Sequence, residues 1–317
     1  MNGVSVLICT HNGKSVIGKS LEYLSNQMVS STIGWEVLVI DNASSDNTDN
    51  YCITFWKSLN HQPCELRVVK EKAKGKINAI YTGVEQSKYS ILLLCDDDNL
   101  LSPNYVQNGY ELISTNNKIG CLGGFGIPIF EKSEPIWFKG YSPHYAVGHQ
   151  GSHGDISNSR GWVYGAGSFI RKSSLININK DTLYTYTSNS ERAEDIEICY
   201  RILLNGYLIW YDESLIFQHF ISEKKLQLNY LKHILLSGAK LTYKLDGLSF
   251  RANANIGWFK YRFQRNWIFR FLFNLLDYHS LLHLKYLPYS FALKLYFIRC
   301  IEILNLNFKY DKSFKEN

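Results

Sequence analysis

The chain lacks several features that mark secreted, zinc-binding and membrane-spanning proteins. Its seven cysteines form no C-x-x-C pair and no regular framework, so we predict reduced, buried thiols and neither a disulfide scaffold nor a zinc site. The amino-terminal sequence MNGVSVLICTHNG has no basic stretch before its short apolar run, which argues against a signal peptide. No stretch reaches the about 18 uninterrupted apolar residues that a membrane-spanning helix requires. These absences predict a cytoplasmic protein.

A dinucleotide-binding fingerprint is also missing, because no G-x-G-x-x-G follows the first apolar run. The first third instead alternates strand-like and helical segments. Strand-like runs occupy 4–9, 35–40, 64–70 and 90–95, and helical patterns occur near 48–59 and 76–87. Because the strands are near-continuous apolar runs, the pattern predicts an α/β fold with a mostly parallel sheet and helices on both faces.

Polar side chains follow three of these strands, at the edge of the sheet where ligands bind in such folds. The three polar segments are Thr10-His11-Asn12, Asp41-Asn42 with the Ser/Asp/Thr-rich turn to Thr48, and Asp96-Asp97-Asp98-Asn99. Asp, Asn and Ser are also ordinary turn residues, and Ser45 or Asp46 is suited to cap the next helix. For the second segment alone, a ligand-binding role and an ordinary turn are about equally supported.

The segment CDDDN is harder to explain as a turn, because a turn needs only one acidic residue. Adjacent carboxylates repel one another, which raises their pKa values. A divalent cation removes the conflict by supplying positive charge. With so few carboxylates, phosphate oxygens and water would complete its coordination shell. The segment therefore predicts a nucleoside diphosphate bound through Mn²⁺ or Mg²⁺.

Five segments, in order, resemble family 2 glycosyltransferases of the GT-A fold. They are SVLICTHNG, EVLVIDNASSDNT, ILLLCDDDNLLSP, WVYGAGSFIRKSSL and AEDIEICYRILLNGYLIWYDESLIFQH, within roughly residues 3–222. The resemblance implies a GT-A domain over 1–225, with a Rossmann-like sheet, a nucleotide-binding half and an acceptor-binding half. It also implies inverting transfer of a sugar from a nucleotide donor to an acceptor hydroxyl.

The resemblance assigns the donor pocket to four residues at the first two strand ends. Thr10 and Asn12 would line the nucleotide pocket, and Asp41 or Asn42 would contact the base. Many members carry two aspartates after the second strand, whereas this chain has Asp41-Asn42. A UDP-sugar is the default donor, and this departure leaves dTDP or GDP open.

The resemblance also assigns the metal site. Asp96 would lie nearer the ribose and Asp98 on the metal, and Asp97 could take the place of either. His219, which follows the strand-like ESLIFQ, would complete the metal site. A lone histidine is more often structural, and imidazole suits Mn²⁺ less well than zinc.

The segment YGAGSFIRKSSL is glycine-rich, then apolar, then basic. Gly165 and Gly167 permit close backbone approach or a positive φ, which fits either a tight turn before a strand or, by resemblance, contact with the donor sugar or acceptor. The basic residues of KEKAKGK could approach the diphosphate. We favour a solvated basic loop for these residues, which are Lys72, Lys74 and Lys76.

A helix is predicted over 190–207, where Asn205-Gly206 forms a stop signal. Its predicted apolar face consists of Ile196, Tyr200, Leu203 and Leu204.

Two acidic residues, Glu194 and Asp195, would lie in the first turn of that helix, where they complement the helix dipole. The functional interpretation makes Asp195 the general base, ionised at neutral pH and able to accept the proton of an acceptor hydroxyl. Glu194 would assist acceptor binding or cap the helix. The family usually has glycine before this pair, where the chain has Ala193. We predict an ion pair between Arg201 and Glu197.

Residues 226–317 differ in composition, with 14 Lys/Arg against 5 Asp/Glu and many aromatic residues. We predict a basic, aromatic-rich helical extension. Amphipathic helices of this kind suit an anionic membrane surface, and a helical cap packed on the catalytic domain is the alternative. The region carries no recognised nucleic-acid-binding motif.

Together these features predict a metal-assisted glycosyltransferase at the inner face of the cell membrane. Its acceptor would be a saccharide or lipid-linked saccharide in surface polysaccharide assembly. Two alternatives remain. A metal-dependent nucleotidyltransferase also uses carboxylates at strand ends, but it would not need the GAG and AED segments. The other alternative is a non-catalytic, membrane-associated member of the family.

Overall fold

The computed structural model describes residues 1–187, 193–239, 242–252, 286–291 and 293–295. Within these ranges the strands are β1 (Val4–Thr10), β2 (Trp35–Asn42), β3 (Glu65–Glu71), β4 (Ile91–Cys95), β5 (Asn99–Leu101), β6 (Ile119–Phe130), β7 (Gly154–Asp155), β8 (Ser168–Arg171) and β9 (Leu208–Ile221). The helices are α1 (Ile17–Ser25), α2 (Thr48–Ser58), α3 (Lys76–Gln86), α4 (Tyr105–Thr115), α5 (Phe138–Tyr141), α6 (Tyr184–Thr187), α7 (Glu194–Leu204), α8 (Leu228–Ala239) and α9 (Thr242–Arg251).

One mixed sheet organises the fold, with the strand order β3-β2-β1-β4-β8-β6-β9-β5 and with β7 paired to β9. The four predicted strands form its parallel half. Beyond β4 the pairings are antiparallel except that between β6 and β9. The predicted α/β fold, a sheet flanked by helices, is confirmed, although its second half is less parallel than the apolar runs indicated.

Side chains of β1 alternate between two cores, as the two-residue period of a strand requires. Val6 and Ile8 lie in a cluster with α1 on one face of the sheet. Leu7 points into the cluster on the other face, which includes residues of α3 and α7. Each fully buried aliphatic side chain contributes about 1.5–3 kcal/mol to folding, so both helical layers are held firmly against the strands.

Strand register brings the polar strand ends together. Thr10 at the end of β1 is paired with Asp41 of β2. On its other side β1 pairs in parallel with β4, which ends at Cys95, one residue before Asp96. On the far side of the sheet β5 runs antiparallel to β9, and Asn99 is opposite His219. These pairings place the Asp-rich segment between the ends of β1 and β2 and the strand that carries His219, β9.

The described part of the extension packs on the catalytic domain. Leu231 and Leu235 of α8 join an apolar cluster with Phe138, and Leu248 of α9 packs against Tyr200 of α7. These two helices therefore form a cap, as one of the two predictions proposed. The membrane-surface prediction concerns 226–317, of which 253–285 and 296–317 lie outside the described residues. None of the helices in the described ranges combines the length and hydrophobicity needed to cross a bilayer.

Candidate active site

Asp96, Asp98 and His219 form the centre of the site. Each offers one ligand atom, and these atoms all lie within 4.8 Å of one another. His219 Nε2 lies 3.1 Å from Asp98 Oδ1, while its buried Nδ1 has no hydrogen-bond partner in the described structure. Carboxylate oxygens together with imidazole suit a divalent first-row cation. The residues therefore fit a divalent metal, and the pairing of β5 with β9 explains how His219 comes to lie beside the two aspartates.

Asp98 is buried but remains ionised. Burial alone would raise its pKa, but His219 and Lys225 hold the pKa of Asp98 well below its usual range. Lys225 Nζ contacts Asp98 Oδ2 directly. Sequence reasoning did not find Lys225, because it lies beyond β9 on a short 3-10 turn, Glu223–Leu226, and belongs to no motif.

Asp97 faces away from this cluster. Its Oδ2 accepts a hydrogen bond from Thr10 Oγ1 at 2.6 Å, and its main-chain oxygen accepts one from Ser20 Oγ at 2.8 Å. Burial and the neighbouring Asp98 raise the pKa of Asp97 to about 6. The structure thus separates the three aspartates by role: Asp96 and Asp98 converge with His219, whereas Asp97 links β4 to the end of β1.

Asn12 links the loops that follow β1 and β2. It has a left-handed φ of 53°. Its N–H donates to Ser44 Oγ and its Oδ1 accepts from the Ser45 N–H, both at 2.8 Å. Asp41 Oδ1 accepts a longer hydrogen bond, 3.3 Å, from the Ser44 N–H. The predicted nucleotide-pocket residues therefore meet at one sheet edge, where they also shape the loops.

Asn42 fixes the loop before α3. Its Nδ2 donates to the Ala73 carbonyl at 2.7 Å, and its Oδ1 accepts from the Gly75 N–H at 2.8 Å. The nitrogen and the oxygen of the side-chain amide both form hydrogen bonds within the protein, so Asn42 supports the loop. This support holds the start of α3 beside the strand ends.

Lys76, at the start of α3, bridges the two halves of the site. Its Nζ lies 3.1 Å from Asp96 Oδ1 and 3.2 Å from Glu194 Oε1. Lys72, Lys74 and Lys76 are all exposed, as predicted for a solvated basic segment, but Lys76 begins α3 and is paired with two carboxylates. Its side chain is 40% exposed; partial burial opposes its charge, but Asp96 and Glu194 raise the pKa of Lys76 well above the usual value. Its position depends on the tertiary loop anchored by Asn42, which no local pattern reveals.

Asp195 lies in the first turn of α7 beside Glu194, as predicted. Its Oδ2 accepts a hydrogen bond of 3.0 Å from the Gly165 N–H, so the GAG segment orients this carboxylate. Burial is the main cause that raises the pKa of Asp195 to about 6. Glu194 adds to the increase, and Lys76 opposes it. At neutral pH Asp195 is mostly ionised and is a stronger base than an exposed aspartate.

A buried ion pair anchors α7. Glu197 is fully buried and accepts hydrogen bonds from the Tyr184 and Thr185 N–H groups, both at 2.8 Å. Arg201 Nη2 lies 2.8 Å from Glu197 Oε1, which confirms the predicted pair.

The predicted apolar face of this helix is partly wrong. Ile198 and Ile202 face the core, whereas Leu204 is 45% exposed. The position of the sheet determines which side of the helix is buried, and that position does not follow from the helical sequence.

A pocket connects the bridging lysine, the metal-site carboxylate and the acidic pair of α7. Its charged lining consists of Lys76, Asp96, Glu194 and Asp195, and most of its other lining residues are apolar. A carboxylate suited to a metal and a carboxylate suited to proton transfer therefore line one cavity. This arrangement places a metal-binding carboxylate and a carboxylate able to accept a proton in the same pocket.

Ala193 is strained, and we predict that replacing it with glycine stabilises the protein. It has a φ of 70° immediately before α7, a conformation that disfavours a Cβ. Ala193→Gly should raise the free energy of unfolding by about 0.5–1 kcal/mol in urea denaturation, after the greater unfolded-state entropy of glycine is counted. Ala79→Gly inside α3 should instead lower it by about 1 kcal/mol. Equal losses in both variants would contradict the strain at Ala193.

Comparisons with known proteins agree with this geometry. The sequence profile described as Glycosyl transferase family 2 matches residues 5–176, which is more than half of the chain. The poly-beta-1,6-N-acetyl-D-glucosamine synthases of Staphylococcus aureus and Staphylococcus epidermidis are each 22% identical to it over 214 residues. The match covers 67% of this chain and 48% of each synthase, so the chain spans about half the length of these curated relatives.

Solved structures show the same fold. The mannosyltransferase PcManGT from Pyrobaculum calidifontis, in complex with GDP-Man and Mn²⁺, aligns with a TM-score of 0.59 and 15% identity, over 98% of this chain and 88% of that one. Residues 1–349 of Staphylococcus aureus TarS, in complex with UDP, align with a TM-score of 0.53 and 15% identity, over 98% of this chain and 92% of that one. At 15% identity these likenesses establish only the fold, which is GT-A.

Proposed function

The chain belongs to glycosyl transferase family 2, and we propose that it moves a sugar from a nucleoside-diphosphate donor to an acceptor hydroxyl in one inverting displacement. One observation carries this proposal: Asp96, which could bind a metal ion together with Asp98 and His219, lines the same pocket as Asp195 of α7. A UDP-sugar is the favoured donor. TarS is described with UDP and PcManGT with GDP-Man, so GDP remains an alternative, as does dTDP.

Asp96, Asp98 and His219 would hold the divalent cation, Mn²⁺ or Mg²⁺, at the donor end. When bound, such a cation offsets the charge that develops on a departing diphosphate. Asp98 is ionised, Asp96 and Asp98 lie in the turn between β4 and β5, and His219 lies on β9 of the same sheet. The protein therefore holds the three ligand groups close together, which limits the rearrangement that the reaction needs.

Asp195 acts at the acceptor end. It removes the proton of the acceptor hydroxyl as that oxygen bonds to the anomeric carbon and the bond from that carbon to the diphosphate breaks. The Gly165 N–H holds one carboxylate oxygen in place, which limits the orientations of the base. Attack from the face opposite the diphosphate inverts the anomeric centre, and no covalent enzyme intermediate forms.

We propose a saccharide or lipid-linked saccharide as the acceptor, within surface polysaccharide assembly at the inner face of the cell membrane. The polysaccharide synthases among the relatives support this setting, as does the basic, aromatic composition of 226–317. Family membership favours sugar transfer over nucleotidyl transfer. The ionised Asp98 and the oriented Asp195 favour a catalytic protein over a non-catalytic one.

Calorimetry with nucleotides tests the donor site. UDP, dTDP and GDP would each be titrated into the full chain, with Mn²⁺ and again with EDTA. We expect one nucleotide to bind only with the metal, and its sugar derivatives would then be screened for transfer. If none of the three binds in a metal-dependent manner, the proposed function is wrong.

The rate of transfer should decline on the acid side of about pH 6, because protonated Asp195 cannot act as a base. Below that pH, kcat/KM should fall about tenfold per pH unit. Glu194 raises the pKa of Asp195, so Glu194→Gln should lower that pKa and move the acid limb to lower pH. Lys76→Met should move it to higher pH, since Lys76 has the opposite effect.

Glu85→Gln on the exposed face of α3 is the matched control for these pH profiles. It should leave the acid limb where it is in the wild type. If the acid limb also stays at the wild-type pH in Glu194→Gln and Lys76→Met, a group other than Asp195 is the base.

A further inference from the structure

Lys225 contacts Asp98, one of the three residues that could hold a metal ion, but it is not a metal ligand itself. Its Nζ contacts Asp98 Oδ2, while Asp98 Oδ1 lies 3.1 Å from His219 Nε2. Both oxygens of this buried carboxylate thus contact cationic or imidazole side chains of the protein. A lysine side chain is an ammonium group at neutral pH, and here it lies against an acidic side chain.

The backbone of Lys225 is fixed, whereas its side chain has room to move. The Tyr145 hydroxyl donates a hydrogen bond of 3.0 Å to the Lys225 carbonyl, and the adjacent Leu226 is buried in an apolar cluster. The Lys225 side chain is 33% exposed. A lysine on a flexible four-carbon stem can change partners without any movement of the main chain.

An ammonium group at Asp98 and a divalent cation held by the same carboxylate repel each other strongly at such a short distance. A cation at Asp96, Asp98 and His219 therefore drives Lys225 away from Asp98. The diphosphate of a donor would bring negative oxygens to the same place. Those oxygens are acceptors that Lys225 can reach once it has left Asp98.

We propose that Lys225 is an exchangeable counterion, which neutralises Asp98 in the ligand-free protein and moves to the donor diphosphate when the divalent cation binds. This inference rests on the proposed function. Lys225 then weakens cation binding to the free protein and strengthens diphosphate binding to the cation-loaded protein. The diphosphate of the nucleotide then becomes the new partner of Lys225. Because each ligand favours the same position of Lys225, the cation and the nucleotide each increase the affinity for the other.

The test uses the full chain with Lys225→Met, Lys225→Arg and the adjacent exposed Lys224→Met as a matched control. Electron paramagnetic resonance of free Mn²⁺ measures cation affinity, and calorimetry at saturating Mn²⁺ measures UDP and GDP affinity. Lys225→Met should bind Mn²⁺ about tenfold more tightly and the nucleotide about tenfold more weakly. Lys225→Arg should stay near the wild type for the nucleotide, and Lys224→Met should match the wild type in both.

The two affinities must move in opposite directions. If Lys225→Met binds Mn²⁺ no more tightly than the wild type, Lys225 does not compete for Asp98 and the inference is overturned. An unchanged affinity for the nucleotide would overturn the transfer to the diphosphate. A wild type that binds Mn²⁺ but neither UDP, GDP nor dTDP would instead overturn the proposed function, which distinguishes the two failures.

Discussion

Asp195→Asn should reduce sugar transfer by about a thousandfold while donor binding stays unchanged, because a positioned general base contributes about 10²–10⁴ to such a rate. Asparagine retains an oxygen that can accept the Gly165 N–H hydrogen bond, so the pocket should keep its shape. It cannot take a proton from the acceptor. The measurement is steady-state transfer with the nucleotide-sugar identified by calorimetry.

The kinetic pattern separates this role from a structural one. Loss of an interaction made only in the transition state lowers kcat and kcat/KM together. The same substitution at Asp181, which is exposed, should leave both parameters at the wild-type value. Transfer that persists within tenfold in Asp195→Asn would assign the base to another residue. Weaker nucleotide binding in this variant would show that the donor half has been disturbed.

Asp98→Asn should abolish metal-dependent nucleotide binding and lower the nucleotide affinity by roughly a hundredfold or more. The reason is that it removes the charge of one of the three proposed metal ligands. The substitution keeps the shape of the side chain but leaves Lys225 and His219 without their anionic partner. Calorimetry with UDP and Mn²⁺ measures the loss. Wild-type protein in EDTA should show the same residual affinity.

The neighbouring aspartate provides the control for Asp98. Asp97→Asn changes the same charge one residue away, but this side chain is bonded to Thr10 and stands apart from the cluster. We expect its Mn²⁺ affinity to remain within about threefold of the wild type, since the three ligand side chains are unaltered. Equal losses of Mn²⁺ binding in both variants would indicate that all three aspartates act together.

The convergence of the polar strand ends was predictable because these residues are local to their strands. Thr10, Asp41 and Asp96 each follow a buried apolar run, and parallel pairing brings the ends of such runs to one edge. The predicted strand limits differ from the observed ones by one or two residues. For Asp195 the acidic pair before an apolar helical pattern sufficed to place it in a first turn.

The remaining residues depend on contacts between distant parts of the chain. His219 was assigned through the resemblance, and its physical cause, the pairing of β5 with β9, joins strands too far apart for a local pattern to show. Lys76 and Lys225 look like ordinary surface lysines in the sequence. Each becomes part of the site only because a turn anchored elsewhere brings it within reach of a carboxylate of the site.

The position of β9 determines when the site can be completed as the chain is synthesised. This strand lies between β6 and β5 in the sheet, so β5 has no neighbour until residues near Ile221 have left the ribosome. The strands β1 to β4 can pair much earlier, because all of them emerge within the first third of the chain. The edge formed by β1 to β4 can therefore assemble first, whereas Asp96, Asp98 and His219 can come together only after β9 has emerged.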